Sequence, residues 1–369
     1  MTQVNERLAH LRATLHQPPS PATWAALCVL LDEWPAGESF RMALDYAEQH
    51  LASWPDELRA APIGWKTKVG GDALRRWRLI RTLHRAACHL TNEDIATLIT
   101  AASAHLTHLQ LDRNLITDAG VQHIAASPHL GRLQHLSLCS NKLSNSGFIQ
   151  LMTSPHLPSL QTLRLADNGI NERGLETLAH AHLDLGLTRL DLGGTWLGDV
   201  GARWLAAMAW PRGLRELGLY GARLSDEGVR LMLRAFAAKP WPLEALDLSY
   251  NPRLGDRGLR ELALCRTLPA LSALRLRRCE ISSEGVAALI EHNPPWLAGL
   301  RHLDLSDNHI GDQGAALLAN STALPTGAVV DLSLNRLSEA GLRTVEASPE
   351  ATRVRFITQG SRVWGTLLD

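Results

Sequence analysis

The side chains able to do chemistry are scattered along this 369-residue chain, and no catalytic constellation gathers them. Gly70-Gly71 lie near Lys68 but lack the GxxxxGK[ST] order of a phosphate cradle, and no Gly-x-Ser-x-Gly nucleophile elbow occurs. His84, Cys88 and His89 form one loose group and His180 with His182 another, neither at zinc-ligand spacing. His108 and His135 stand 27 residues apart with Asp112 and Cys139 nearby, which offers donor atoms but no defined ligand count. No metal, cofactor or enzymatic activity is implied. What remains is recognition chemistry. Two of the three tyrosines, Tyr220 and Tyr250, fall close in sequence to Arg275, Arg277 and Arg278, and Tyr and Arg are the residue types that most often dominate interface energy.

The elements that position these residues come from a repeated phrase. LTHLQLDRNLITDAG from Leu106, LQHLSLCSNKLSNSG from Leu133, LQTLRLADNGINERG from Leu160 and LRHLDLSDNHIGDQG from Leu300 are its clearest copies. Lead residues fall at 106, 133, 160, 187, 214, 243, 271, 300 and 327, nine copies at intervals of 27 to 29. Leucines four and six residues into the phrase, such as Leu109 and Leu111, share one face of a short strand that a single repeat cannot bury, so the strands must stack. A short amide can satisfy the turn that follows, the expected role of Asn114, Asn141, Asn168, Asn251, Asn308 and Asn335. Cys88, Cys279, Thr195 and Ala222 replace that Asn elsewhere, and the stack is expected to be loosest at the last two. Conserved spacing also places a Gly in each helix start, from Gly120 to Gly341, where a missing Cβ allows helix to approach strand. Thr117, Ser144, Asn171, Ser225, Ser282 and Ser338 read as N-caps, and Asp118, Asp199, Asp226, Asp256 and Asp312 as acids placed against helix dipoles.

The phrase resembles the leucine-rich repeat of the longer, strand-plus-helix type found in ribonuclease inhibitor, over roughly residues 80–345. The resemblance implies an α/β solenoid: an arc with a parallel sheet on its concave face and helices on its convex face; residues 1–78 read as an N-terminal helical domain before it. It also implies a recognition scaffold whose target is set by the residues between the leucines. Similar repeats in ribonuclease inhibitor and the Ran GTPase-activating protein make a regulator of an enzyme the alternative to a plain scaffold or adaptor.

On the concave face the third, fifth, seventh and eighth residues of each phrase point away from the leucines. The expected partner-binding set is Arg164, Arg189, Asp191, Glu216, Tyr220, Asp247, Tyr250, Arg275, Arg277, Arg278 and Asp304. Three neighbouring arginines suggest an acidic segment on a protein partner.

Residues 1–78 lack the phrase and are expected to fold as helices near 6–16, 22–33 and 38–53. Trp24, Trp34, Trp54, Trp65, Trp77 and Met42 are read as the core of this cap or docking domain. A degenerate repeat starts at Ile80, with Arg85 in place of the second leucine marking the solvent edge. The solenoid spans 79–345, and 346–369 forms a C-terminal cap, with an edge strand over 353–357 and a tail around Trp364. Trp210, Trp241 and Trp296 fill core between helix and strand.

Lys plus Arg and Asp plus Glu balance at 37 each, so a nucleic-acid backbone is not an expected partner. No apolar run spans a bilayer, and the five scattered cysteines fit a reducing cytoplasm. The unbound chain is expected to be a monomer. Four lysines against 33 arginines suggest a bacterium with a GC-rich genome.

Overall fold

The computed structural model describes residues 2–62, 76–102, 105–181, 183, 186–208, 213–238 and 241–358. Trp65, Lys68, Gly70, Gly71, His182, Trp210 and the tail around Trp364 lie outside them. Three helices come first: α1 (Thr2–Leu15), α2 (Pro21–Asp32) and α3 (Glu38–His50). Strand and helix then alternate as β1 (Thr82–His84), α4 (Asn92–Ala102), β2 (His108–Gln110), α5 (Asp118–Ala125), β3 (His135–Ser137), α6 (Asn145–Met152) and β4 (Thr162–Arg164). The pattern continues through α7 (Glu172–Ala179), β5 (Arg189–Asp191), α8 (Gly198–Ala207), β6 (Glu216–Gly218), α9 (Asp226–Ala238) and β7 (Ala245–Asp247). It ends with α10 (Gly255–Leu264), β8 (Ala273–Arg275), α11 (Ser283–His292), β9 (His302–Asp304), α12 (Gly311–Ala319), β10 (Val329–Asp331), α13 (Glu339–Glu346) and β11 (Arg355–Ile357).

The chain forms two compact units, residues 1–142 with 154–161, and residues 143–153 with 162 onward. In the first, β1, β2 and β3 pair in parallel with Leu83, Leu109 and Leu136 in register. In the second, β4 to β11 pair in chain order, keeping Leu163, Leu190, Leu217, Leu246, Leu274, Leu303, Val330 and Phe356 level. This is the fold of a leucine-rich repeat solenoid. Every expected core leucine from Leu109 to Leu332 is buried, because the sheet closes on its row of helices.

The Asn ladder forms as expected. Asn308 Nδ2 donates to the carbonyls of Leu276, Leu305 and Ser306, and its Oδ1 accepts from the amides of Cys279 and Ile281. Cys279 is buried and its thiol donates to Leu248 O at 3.2 Å, the contact Asn makes in other repeats; burial pushes that thiol up to about 12. Cys88 is exposed, yet its amide donates to Asn114 Oδ1 at 3.1 Å and its thiol to Ala86 O at 3.3 Å, so it joins the ladder at its outer end. Thr195 is buried and its hydroxyl donates to Leu192 O, while beside Ala222 the carbonyl of Leu219 takes Asn251 Nδ2 instead.

The helix starts hold a second ladder with a two-repeat period. Ser225, Ser282 and Ser338 cap α9, α11 and α13, and each also gives its amide and hydroxyl to an acid one repeat back, Asp199, Asp256 and Asp312. These acids therefore tie repeats together as well as facing a helix dipole. A Cβ on Gly285 would lie 2.5 Å from Asp256 Oδ1. Close approach there is helix to helix across repeats, whereas the sequence suggested helix to strand.

Within the first unit, Trp24, Trp34, Trp54 and Trp77 are buried as expected, but Met42 is 60% exposed. Arg85 does not mark an open edge. Ala60 bridges to Thr82, the Ala61 amide donates to Thr82 O, and Arg85 Nη2 reaches Pro62 O at 3.1 Å, so residues 59–62 cover β1. Trp241 and Trp296 are buried, Trp296 donating to Leu262 O.

Candidate functional site

The open face of the sheet in the second unit carries the expected set, and the structure sorts it into a floor and a rim. The floor is the third and fifth positions of each phrase. Asp191, Asp247, Asp304 and Asp331 stand there at only 3 to 8% exposure. Each accepts the backbone amide two residues on, from Gly193, Ser249, Ser306 and Ser333 at 2.9 to 3.0 Å. The sequence suggested that Asp191, Asp247 and Asp304 face a partner. They lie on that face but turn back to fasten the strand ends, because a carboxylate two residues before an outward amide closes an Asx turn.

Burial acts on these acids. It pushes Asp191 up to about 6, against the lowering pull of the Gly193 amide and of Arg164 at 3.6 Å. Asp247 and Asp304 rise for the same reason. The floor arginines are paired in turn: Arg164 with Asp191, Arg189 with Glu216 at 2.9 Å and Arg275 with Asp247 at 3.9 Å. Burial also raises Glu216, and Arg189 opposes that rise.

The rim consists of the loops that follow the strands. Their first outward residue has left-handed backbone in repeat after repeat: Asp167 (φ 56°), Tyr250 (59°), Arg278 (53°), Asp307 (56°) and Leu334 (60°), with Gly194 and Gly221 at the same place. Backbone bonds hold this shape, Tyr250 N to Arg277 O at 2.7 Å and Arg278 N to Ser306 O at 3.1 Å. Side chains there are exposed, Tyr250 by 41%, except for half-buried Asp307.

The two tyrosine side chains have different neighbours. Tyr220 lies over Gly193, where a Cβ would meet its ring at 2.1 Å, and donates to Asp167 Oδ2 at 2.8 Å, two repeats back. Tyr250 faces the other way along the stack, with the Arg277 guanidinium 5.7 Å from its ring centre and Arg277 also 3.6 Å from Asp307. Sequence reading missed Trp196, which is 62% exposed with the Arg223 guanidinium 4.4 Å from its ring. Its signal was visible: it follows Thr195, next to the turn position, where Lys142 and Gly169 stand in earlier repeats.

In the first unit His108 and His135 stack at 4.1 Å, as their equal place in neighbouring repeats implies. His108 Nδ1 is engaged with Thr107 Oγ1, and burial lowers its pKa. Asp112 accepts from Gln110, Ser137 and the Cys139 amide. Among the described residues no group of three or more His, Cys, Asp or Glu is placed to hold a metal ion, and no helix is long and apolar enough to cross a membrane.

The model of a leucine-rich repeat family matches residues 102–125, 156–179, 187–206, 242–263, 268–289 and 300–319. Those six segments, about a third of the chain, are similar to leucine-rich repeats. Ribonuclease inhibitor of Sus scrofa is 35% identical over 119 residues, 30% of this chain; the chain spans a quarter of that relative's length. A chain from the crystal structure of the Rad7 and Elc1 complex in yeast superposes with a TM-score of 0.54 at 16% identity, over 97% of this chain and 93% of that one. That likeness is one of fold. Leucine-rich repeats generally mediate protein–protein interaction.

Proposed function

We propose that this chain is a non-catalytic scaffold or adaptor of the bacterial cytoplasm that holds a partner protein on the open face of its repeats. The observation carrying the reading is the rigid floor: its charges are paired and its backbone amides fastened, so Tyr220, Tyr250, Arg189, Arg277 and Arg278 are presented on a surface that need not reorganise. In this reading the unbound chain is a monomer, residues 1–78 cap the stack or dock an effector, and 346–369 cap its other end. The stretch 35% identical to ribonuclease inhibitor favours one second reading, a regulator that binds an enzyme and thereby alters its activity.

The test is capture of partners from native extract by the intact chain and by an Arg189→Ser/Tyr220→Ala/Tyr250→Ala variant, identified by mass spectrometry. Loss of one protein from the variant's captures supports the face; an unchanged set overturns it. Met42→Glu, on the exposed side of α3, tests docking by the helical domain. Deleting residues 1–78 would not test it cleanly, since buried Arg59 bonds Leu79 O and Leu51 O. Activity of the captured protein with and without the chain separates regulator from adaptor.

A further inference from the structure

We infer that the rim of the four repeats led by Leu187, Leu214, Leu243 and Leu271, formed by Trp196, Arg223, Tyr250, Arg253, Arg277 and Arg278, binds a short acidic segment of the partner in extended conformation; this rests on the scaffold reading above.

The loops that carry these residues follow β5, β6, β7 and β8, four consecutive parallel strands, and so leave the sheet on one side. Backbone bonds stitch them in register: Gly194 N to Tyr220 O, Gly221 N to Ser249 O, Tyr250 N to Arg277 O and Arg278 N to Ser306 O. The eighth residues of the four phrases, Gly194, Gly221, Tyr250 and Arg278, therefore form a row, and Trp196, Arg223 and Arg253 follow it two or three residues further along their loops.

Charge distinguishes that row from the floor beneath it. Each floor arginine faces a carboxylate within 3.9 Å. On the rim, Arg223 faces the ring of Trp196, and Arg253 and Arg278 make no ion pair among the described residues. Only Arg277 has an acid, Asp307 at 3.6 Å. The chain is neutral as a whole, so positive charge that is left unpaired at one place is a local feature. Two guanidinium groups lie near aromatic rings, Arg223 at 4.4 Å from the Trp196 ring centre and Arg277 at 5.7 Å from that of Tyr250, and of the two only Arg223 has no carboxylate beside it among the described residues.

The row is short. Asp167 bounds it on one side and Asp307 on the other, while Glu280, in the β8 loop itself, is paired with His309. Four strands spaced about 4.8 Å apart span roughly 15 Å, the length of about four or five extended residues at roughly 3.3 Å each. A nucleic-acid strand would carry its phosphates on past these carboxylates, so the fit is to a brief run of Asp and Glu.

Fluorescence anisotropy with an acetylated, fluorescein-labelled Glu-Asp-Glu-Asp-Glu-Asp hexapeptide tests this, with a lysine hexapeptide and a thymidylate decamer as comparison probes. The acidic peptide should saturate the intact chain at low salt and release as salt rises. Arg223→Ser/Arg278→Ser should weaken it by roughly tenfold or more, with an unchanged melting midpoint, and Arg230→Ser on α9 should not weaken it. No saturation by the acidic peptide, equal binding to the double variant, or tighter binding of the decamer would overturn the inference. Hexapeptide failure with partner capture intact removes only the rim proposal. Hexapeptide binding with capture unaffected by the face variant removes only the scaffold reading as placed on the floor.

Discussion

Asn308 and Arg278 stand in neighbouring loops of the same design, yet one has five bonds inside the protein and the other is exposed without an ion pair among the described residues. The contrast separates two jobs that a repeat must do with polar residues. Beneath the turns and along the floor, amides and carboxylates satisfy backbone groups that stacking has removed from water, and the chain cannot spare them. On the rim nothing structural requires a particular side chain, so arginine and aromatic residues there can be set by a partner. Polarity on an open sheet face is thus a poor guide to binding until its hydrogen bonds are counted.

The sharpest way to break this division lies under the floor. Leu190 is fully buried in an interior strand. Leu190→Ala should cost roughly 2 to 5 kcal/mol in chemical denaturation, because neighbouring repeats hold the cavity open. A cost near zero would mean that the repeats are not closely packed around β5. Next comes Asn308→Ala. It strands the Leu276 carbonyl and the amides of Cys279 and Ile281 at a 2% exposed site, while Leu305 O keeps Asn335 Nδ2 and Ser306 O keeps the Arg278 amide, and a loss of about 2 to 4 kcal/mol is expected. A loss under about 0.5 kcal/mol would place the Asn ladder with the dispensable surface polar groups.

The floor acids give a pH signature of definite sign. Asp191 titrates in the folded chain at about 6 against an ordinary 3.8, so the folded state holds its proton more tightly. The stability this contributes is complete below about pH 4 and is lost as pH rises through about 6. Asp191→Asn removes the titration while its side-chain oxygen can still accept the Gly193 amide. The stability of the intact chain relative to this variant should therefore fall by about 2 to 3 kcal/mol between roughly pH 4 and pH 7. A flat difference across that range would show Asp191 to be solvated or fully neutralised by Arg164.

Much of this was legible in the sequence, and for identifiable reasons. Leucine spacing determined strand, face and register, since a period-two pattern repeated nine times admits one way of stacking. The Asn, Ser and Asn-like Cys279 roles followed from the same phase. Asp191, Asp247 and Asp304 misled because side-chain direction was taken from strand alternation alone. At the strand's last residue an acid can fold back onto the turn, and that bond competes with exposure. Tyr220 and Tyr250 looked like one cluster because they lie in adjacent repeats; the Gly193 gap drew one ring backward and Arg277 held the other forward. The cover over β1 was illegible because residues 59–62 carry no repeat phrase.

The smallest stability effect is expected on the rim, where it sharpens the comparison most. Arg278 is exposed in left-handed backbone at φ 53°, with no ion pair among the described residues. Arg278→Ala should change the denaturation midpoint by less than about 0.5 kcal/mol, and Arg278→Gly should be neutral or slightly stabilising because it relieves that backbone. Tyr250→Gly offers the same relief at φ 59° but gives up the Arg277 stack, so its net effect should also be small. Partner binding should respond differently. Tyr250→Ala and Arg277→Ala should each weaken a captured partner by about 2 kcal/mol in calorimetry while folding barely changes. Rim variants that unfold the chain, or that leave the partner's affinity intact, would show the rim to be an extension of the floor rather than a surface shaped for something else.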